Sequence, residues 1–301
     1  MNDKHIPVLY NEIIDILGIQ QGDIVIDATI GSGGHAAGIL EQLGDSGVFL
    51  GIDADAESLG RAKRNLEKIK SKSRKIFCND NFQNLVEILN KNDIVNPNKI
   101  LFDLGWNIEQ FASSGRGFSF QNPNEPLDMR YSVTNQSHPS AAEILNSSSV
   151  EELINILRDY GEERFAAKIA RGIVKARKKH KIRFVADLLK IIQEETPSWY
   201  QNRKIHPTTK VFQALRIVAN DELGTLERTL MDAVKVLARG GIIVVITFHS
   251  LEDRLVKQLF KSWKEDSIAQ ILTKHVIKPS RSEIVKNKRA RSAKLRAIQK
   301  I

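Results

Sequence analysis

Cysteine is almost missing from these 301 residues. The single Cys78 cannot form a disulfide within the chain, and it fits a reducing compartment. Long apolar runs are missing too: the longest, residues 241–248, is far too short for a bilayer-crossing helix. The opening MNDKHIPVLY lacks the charged-then-apolar pattern of a secretory leader, so a soluble, unprocessed, cytoplasmic protein is expected. No His or Cys cluster has metal-ligand spacing, so no metal is expected. No internal repeat is visible.

A hydrophobic share of 42% is enough for a sizeable core, in one large domain or two modest ones. The net charge is +9, and residues 274–301 hold ten Lys or Arg against one acid, Glu283, an excess equal to the whole net charge. A second basic cluster, residues 164–183, contains Arg164, Lys168, Arg171, Lys175, Arg177, Lys178, Lys179, Lys181 and Arg183 and no acid. Two such clusters on an otherwise balanced chain suggest a polyanion such as a phosphate backbone. A solvated face plus a disordered tail would give the same counts.

Periodicity predicts strands at 24–26, 48–52, 75–78 and 100–102, alternating with helices near 36–43, 58–69 and 85–89. That alternation specifies a parallel sheet covered on both faces, with ligands outside the carboxyl ends of its strands, where Asp27, Asp53 and Asp103 fall. It stops after Leu104. A loop rich in Ser, Gly, Asn and Pro leads to helical patterns at 141–145, 150–160, 162–178 and 185–195. It resumes with one long helical pattern over 208–237 and a strand at 242–248. The expected fold is an α/β domain (1–114 and 207–301, with a basic tail from 274) interrupted by a helical insertion (115–206).

Gly31, Gly33 and Gly34 form a turn between strand and helix, where backbone N–H groups can approach a ligand and the helix N-terminus adds positive potential. GSGGHA also fits the dinucleotide pattern, with Asp53 twenty residues beyond Gly33, so a nicotinamide or flavin enzyme stays open. Asp27 and Asp103 shift the balance towards S-adenosylmethionine, a cationic donor without phosphates. Asp103 opens DLGW, where a carboxylate could polarise a target amine; an ordinary strand-end aspartate remains the plainer reading. In FHSLEDR (248–254), Ser250 reads as an N-cap with Asp253 three residues on, and His249 could face substrate. Gln213, Arg216 and Asn220 share one helix face, either solvated or lining a substrate cleft.

Several longer stretches carry a resemblance: HIPVLYNE (5–12), DATIGSGGH (27–35), RGFSF (116–120), PLDMR (126–130), YGEER (160–164), FQALRI (212–217), FHSLEDR (248–254) and RARSAKLR (289–296). Over nearly its full length the chain resembles the MraW (RsmH) family of bacterial 16S rRNA cytosine-N4-methyltransferases. The resemblance implies a Rossmann-like class I S-adenosylmethionine-dependent methyltransferase domain with an inserted all-helical domain for RNA recognition. It implies a decoding-centre cytidine of the small ribosomal subunit as acceptor. By motif, the cofactor residues are Gly33, Gly34, His35, Asp53, Phe82, Asp103 and Gln110. Asp53 is assigned to the ribose, Phe82 to the adenine and Asp103 to the reacting centre. The family usually reads DLGVSSPQ where this chain has DLGWNIEQ (103–110), so Trp106 to Glu109 alter the loop between Asp103 and Gln110. A DNA amine methyltransferase and a non-catalytic RNA-binding protein remain rival readings, and both monomer and homodimer are open.

Overall fold

The computed structural model describes residues 7–105, 111, 114–131, 138–203 and 206–301. They divide into two compact units, 1–105 with 225–301, and 106–224.

The first unit is built on a seven-stranded sheet: β1 (Ile24–Asp27), β2 (Val48–Asp53), β3 (Arg74–Asn79), β4 (Lys99–Asp103), β5 (Ile242–Thr247), β6 (Ala269–Ile271) and β7 (Lys294–Lys300). Its order is β3-β2-β1-β4-β5-β7-β6. Pairing is parallel from β3 through β5, and β7 runs antiparallel to both its neighbours. This is a Rossmann-like doubly wound sheet with a reversed strand near one edge. Consecutive residues such as Val25–Ile26, Phe49–Leu50 and Leu101–Phe102 are all buried, as strands covered on both faces must be. On one face Val25, Phe49, Leu101, Val244 and Leu295 pack with helices α1 (Tyr10–Leu17), α2 (Gly34–Leu43) and α3 (Ala56–Leu66).

Residues 274–301, which read in the sequence only as a basic segment, are structured. They form a short helix (Arg281–Lys286), a 3-10 turn (Lys288–Ser292) and β7, which fills the slot between β5 and β6. In KLRAIQK, Leu295, Ala297 and Ile298 are buried while the charged residues between them stay partly exposed, so the apolar alternation is masked by charge.

The second unit is helical. Capping boxes at Ser140 with Glu143 and Ser149 with Glu152 start the helices Ala141–Ser147 and Val150–Asn155. Helices Ala166–Arg177, Val185–Glu195 and Pro207–Ala219 complete a core that includes Ile144, Leu157, Ile173, Leu188 and Leu215. The pattern over 208–237 is therefore two helices, Pro207–Ala219 and Glu222–Val236. Asp221 stands between them in the left-handed region (φ 45), and the Asn220 side chain ties the preceding turn by donating to the Arg216 carbonyl. Since Val211, Phe212 and Leu215 enter the helical core, the division between units falls at 106 and 224, not 115 and 206.

Candidate active site

β1 ends at Asp27, level with Gly51 of β2 and Leu101 of β4, and the chain then enters a turn in which Gly31 and Gly33 both take positive φ. Gly33 caps α2 at φ 87, and a Cβ there would lie 3.3 Å from Leu66. Three carboxylates surround this turn from the carboxyl ends of β1, β2 and β4.

Asp27 is buried and accepts from the Thr29 N–H at 3.2 Å. Burial, opposed by that hydrogen bond and reinforced by the charges of Asp103 and Asp53, pushes its carboxyl up to about 8. Asp53 accepts from the Gly31 N–H at 2.8 Å on one oxygen and from the Asp55 N–H at 2.8 Å on the other. Burial raises its carboxyl despite these two donors. Asp53 thus holds the glycine turn from below, and each oxygen keeps a lone pair for a further donor. The Asp103 N–H donates to Thr29 Oγ1 at 2.6 Å, which locks the end of β4 to the loop after β1. Thr29 is a site residue that spacing alone did not single out.

The His35 side chain turns inward. Its Nε2 lies 3.0 Å from the Val8 carbonyl, which can only accept, so Nε2 is the donor. Its ring stacks on Tyr10 (6.3 Å, 17°) and its Nδ1 faces Asp103 Oδ2 at 3.6 Å. The neighbouring Leu9 N–H donates to Glu283 at 2.8 Å, so the one acid of the basic C-terminal stretch anchors the same segment. Phe82 sits on a single 3-10 turn after β3, packed edge-on against Phe102 of β4 at 6.0 Å. Gln110, with the departure from Trp106 to Glu109, lies outside the described residues.

The MraW methylase family pattern matches residues 2–301. The chain belongs to that family. It is 47% identical over 292 residues to the "Ribosomal RNA small subunit methyltransferase H" of Dictyoglomus thermophilum, covering 97% of this chain and 95% of that one. Against the protein of the same name from Halothermothrix orenii the identity is 39% over 313 residues, 99% of each chain. A solved rRNA methylase of Streptococcus thermophilus is similar at TM-score 0.45 and 10% identity, covering 97% of this chain and 93% of that one.

The remaining motifs of this MraW-family chain sort into scaffolding. In FHSLEDR the N-cap is His249, not Ser250. Its Nδ1 accepts from the Glu252 N–H at 3.3 Å, and Glu252 accepts in return from the N–H groups of Phe248 and His249. A histidine ring can cap because one nitrogen keeps its lone pair. His249 Nε2 comes within 3.1 Å of Glu252 Oε1 but is not aligned for a hydrogen bond, leaving a buried polar atom unsatisfied. Asp253 reaches across to β7, pairing with Lys294 at 2.9 Å and Arg296 at 2.7 Å. Burial would raise the Asp253 carboxyl, but the hydrogen bonds from Arg296 and Lys294 outweigh it and hold the group below its usual range.

Gln213, Arg216 and Asn220 are committed inside the helical unit. Gln213 donates to the Tyr160 carbonyl at 3.2 Å. Arg216 grips Glu222 with two hydrogen bonds (2.7 and 3.1 Å), and Glu222 also accepts from the Tyr131 hydroxyl at 2.6 Å. Asn220 donates to the Met129 carbonyl and accepts from the Tyr131 N–H. Arg116 of RGFSF completes this network, donating to the Arg130 carbonyl at 2.7 Å and lying over the rings of Phe111 and Phe118. A shared helix face thus reads as a junction between motifs.

Proposed function

We propose that this chain transfers a methyl group from S-adenosylmethionine to N4 of a cytidine in the decoding centre of 16S rRNA, within the small ribosomal subunit and in the cytoplasm. The observation that carries this reading is the convergence of Asp27, Asp53 and Asp103 around a left-handed glycine turn in an MraW-family chain. A concentration of carboxylates suits a donor bearing a sulfonium and an ammonium group, and it repels a pyrophosphate. The curated relatives supply the substrate class through their name.

In this reading Gly33, whose own N–H closes the turn onto the Ile30 carbonyl, leaves room for the donor, Gly34 and His35 present backbone N–H groups at the start of α2, Asp53 takes the ribose hydroxyls with its remaining lone pairs, and Phe82 packs against adenine. When bound, the donor supplies an electrophilic methyl and departs as a neutral thioether. Asp103 accepts a hydrogen from the exocyclic amine, whose lone pair is otherwise delocalised into the ring, and so localises it for attack on the methyl carbon. One C–S bond breaks, one N–C bond forms, and the proton left on N4 departs to Asp103 or water. His35, clamped between Val8 and Asp103, acts through that carboxylate as a positioning residue. Gln110 joins the donor site by motif.

The test incubates pure protein and labelled donor with small subunits from cells lacking the activity, followed by nucleoside mass spectrometry. N4-methylcytidine at one mapped position is expected. No methyl incorporation, together with tight NAD binding, overturns the reading in favour of a dinucleotide enzyme.

A further inference from the structure

In the helical unit an exposed tryptophan is ringed by cations that lack counter-charges. Trp199 is 53% exposed. The guanidinium carbons of Arg164 and Arg203 lie 5.8 and 5.3 Å from its ring centroid. Lys168 Nζ lies 5.8 Å from the adjoining ring of Phe165. All three cations are exposed, and among the described residues no carboxylate stands within ion-pairing distance of them.

The base of this cluster is rigid. Phe165 and Tyr200 pack against Trp199 at 6.2 and 5.7 Å. Below them Glu163 is buried, accepting from the Phe165 N–H at 2.8 Å and from the Tyr200 hydroxyl at 3.1 Å. Burial and the bond to Glu163 push that hydroxyl up to about 12, so it remains a donor throughout the working range. The motif YGEER thus has a buried half that fixes the platform and an outer half, Arg164, that faces water. Along the helix Ala166–Arg177, exposed Lys168, Arg171 and Lys175 follow at i, i+3 and i+7, a stripe about 10 Å long on one face.

We infer that Trp199, Arg164, Arg203 and Lys168 form a docking site for single-stranded RNA, in which a base stacks on the indole and guanidinium surface and flanking phosphates meet the cations. Aromatic faces interleaved with fork-shaped donors are the chemistry that unpaired nucleotides recognise. A purely anionic partner would need the charges but not the ring. This site rests on the methylation reading only for its polyanion being RNA.

The test uses the full chain, a labelled single-stranded oligoribonucleotide of mixed sequence, and heparin as a polyanion without bases. Trp199→Ala is expected to weaken RNA binding roughly 10-fold, within the range of base stacking on an aromatic ring, and to change heparin binding less than about twofold. Arg203→Gln and Arg164→Gln should weaken both probes and reduce the salt slope of RNA binding by about 0.7 per lost phosphate contact. Trp199→Phe, which keeps a ring, should retain most of the RNA affinity. The proposal is overturned if Trp199→Ala binds RNA as wild type does, or if it loses RNA and heparin equally. Binding of S-adenosylmethionine should be unchanged in all four variants. If wild type leaves small subunits unmethylated while Trp199→Ala still loses RNA selectively, the methylation reading falls and the docking site stands.

Discussion

In the α/β unit acids converge on a glycine turn at the carboxyl ends of parallel strands, and one of them is held protonated to about 8. In the helical unit cations stand outward on aromatic rings, while two of its acids, Glu163 and Glu222, are buried as anchors. The two units therefore use charge in opposite senses. Buried carboxylates tolerate one another only where protonation or a cationic guest relieves the repulsion. Unpaired exposed cations cost little in water and become useful when a polyanion arrives. The difference separates a cluster of acids suited to a cation from a surface suited to an anion.

The strongest way to break this contrast is at Asp103. Asp103→Ala should lower methyl transfer by roughly 100-fold or more, the scale of losing one aligned electrostatic group at a reacting centre, while RNA affinity stays at the wild-type level. Single-turnover assays beside anisotropy titrations would decide it, and a parallel loss of RNA binding would blur the two units' roles.

Next in size is the anchor of the helical unit. Removing Arg216 by Arg216→Met leaves Glu222 buried without its bidentate partner and should cost about 3 kcal/mol. Thermal unfolding would show it, and calorimetry should find the donor affinity unaltered. Gly33→Ala comes third, because φ 87 and the approach to Leu66 strain any side chain, by about 1–2 kcal/mol. Its melting temperature and its donor affinity should fall together, the mirror image of Arg216→Met.

At Asp27 the contrast is sharpened through pH dependence. Its folded-state carboxyl is raised to about 8, so the native state holds a proton that the unfolded chain has released above its ordinary value. The stability this proton confers is fully present near pH 3–4 and is lost progressively as pH rises to about 8, with no further loss above. Asp27→Asn carries no such dependence. Melting curves should coincide near pH 4 and separate progressively in favour of Asn as pH rises to about 8. A gap that shrinks with rising pH would refute the assignment of Asp27 as the protonated member of the group.

Much of the first four strands was legible because alternation of apolar runs with helical periods is a local property, and Asp27, Asp53 and Asp103 mark strand ends by themselves. β7 was not legible: its apolar positions are interleaved with Lys294, Arg296 and Lys300, and only Asp253 reaching across from the helix Ser250–Glu265 makes two of those charges structural. The N-cap was misplaced by one residue because Ser250 is the commoner capping type, whereas the ring of His249 does the work. Gln213, Arg216 and Asn220 shared a face as expected, but the face meets Tyr160, Met129, Tyr131 and Glu222 and not open space.

What the sequence determined by itself was the class of sheet, the turn that glycine permits, the acids beside it and the family, because each of these is written in neighbouring residues or in recurring motifs. Only the tertiary structure decided which charges are partnered. It made Asp53 a brace for Gly31, tied the His35 ring between Val8 and Asp103, put Asp253 on β7, and left Arg164 and Arg203 over Trp199 without acids. The physical reason is distance: a charge's role depends on what stands within a few ångströms of it, and chain spacing does not carry that information across tens or hundreds of residues.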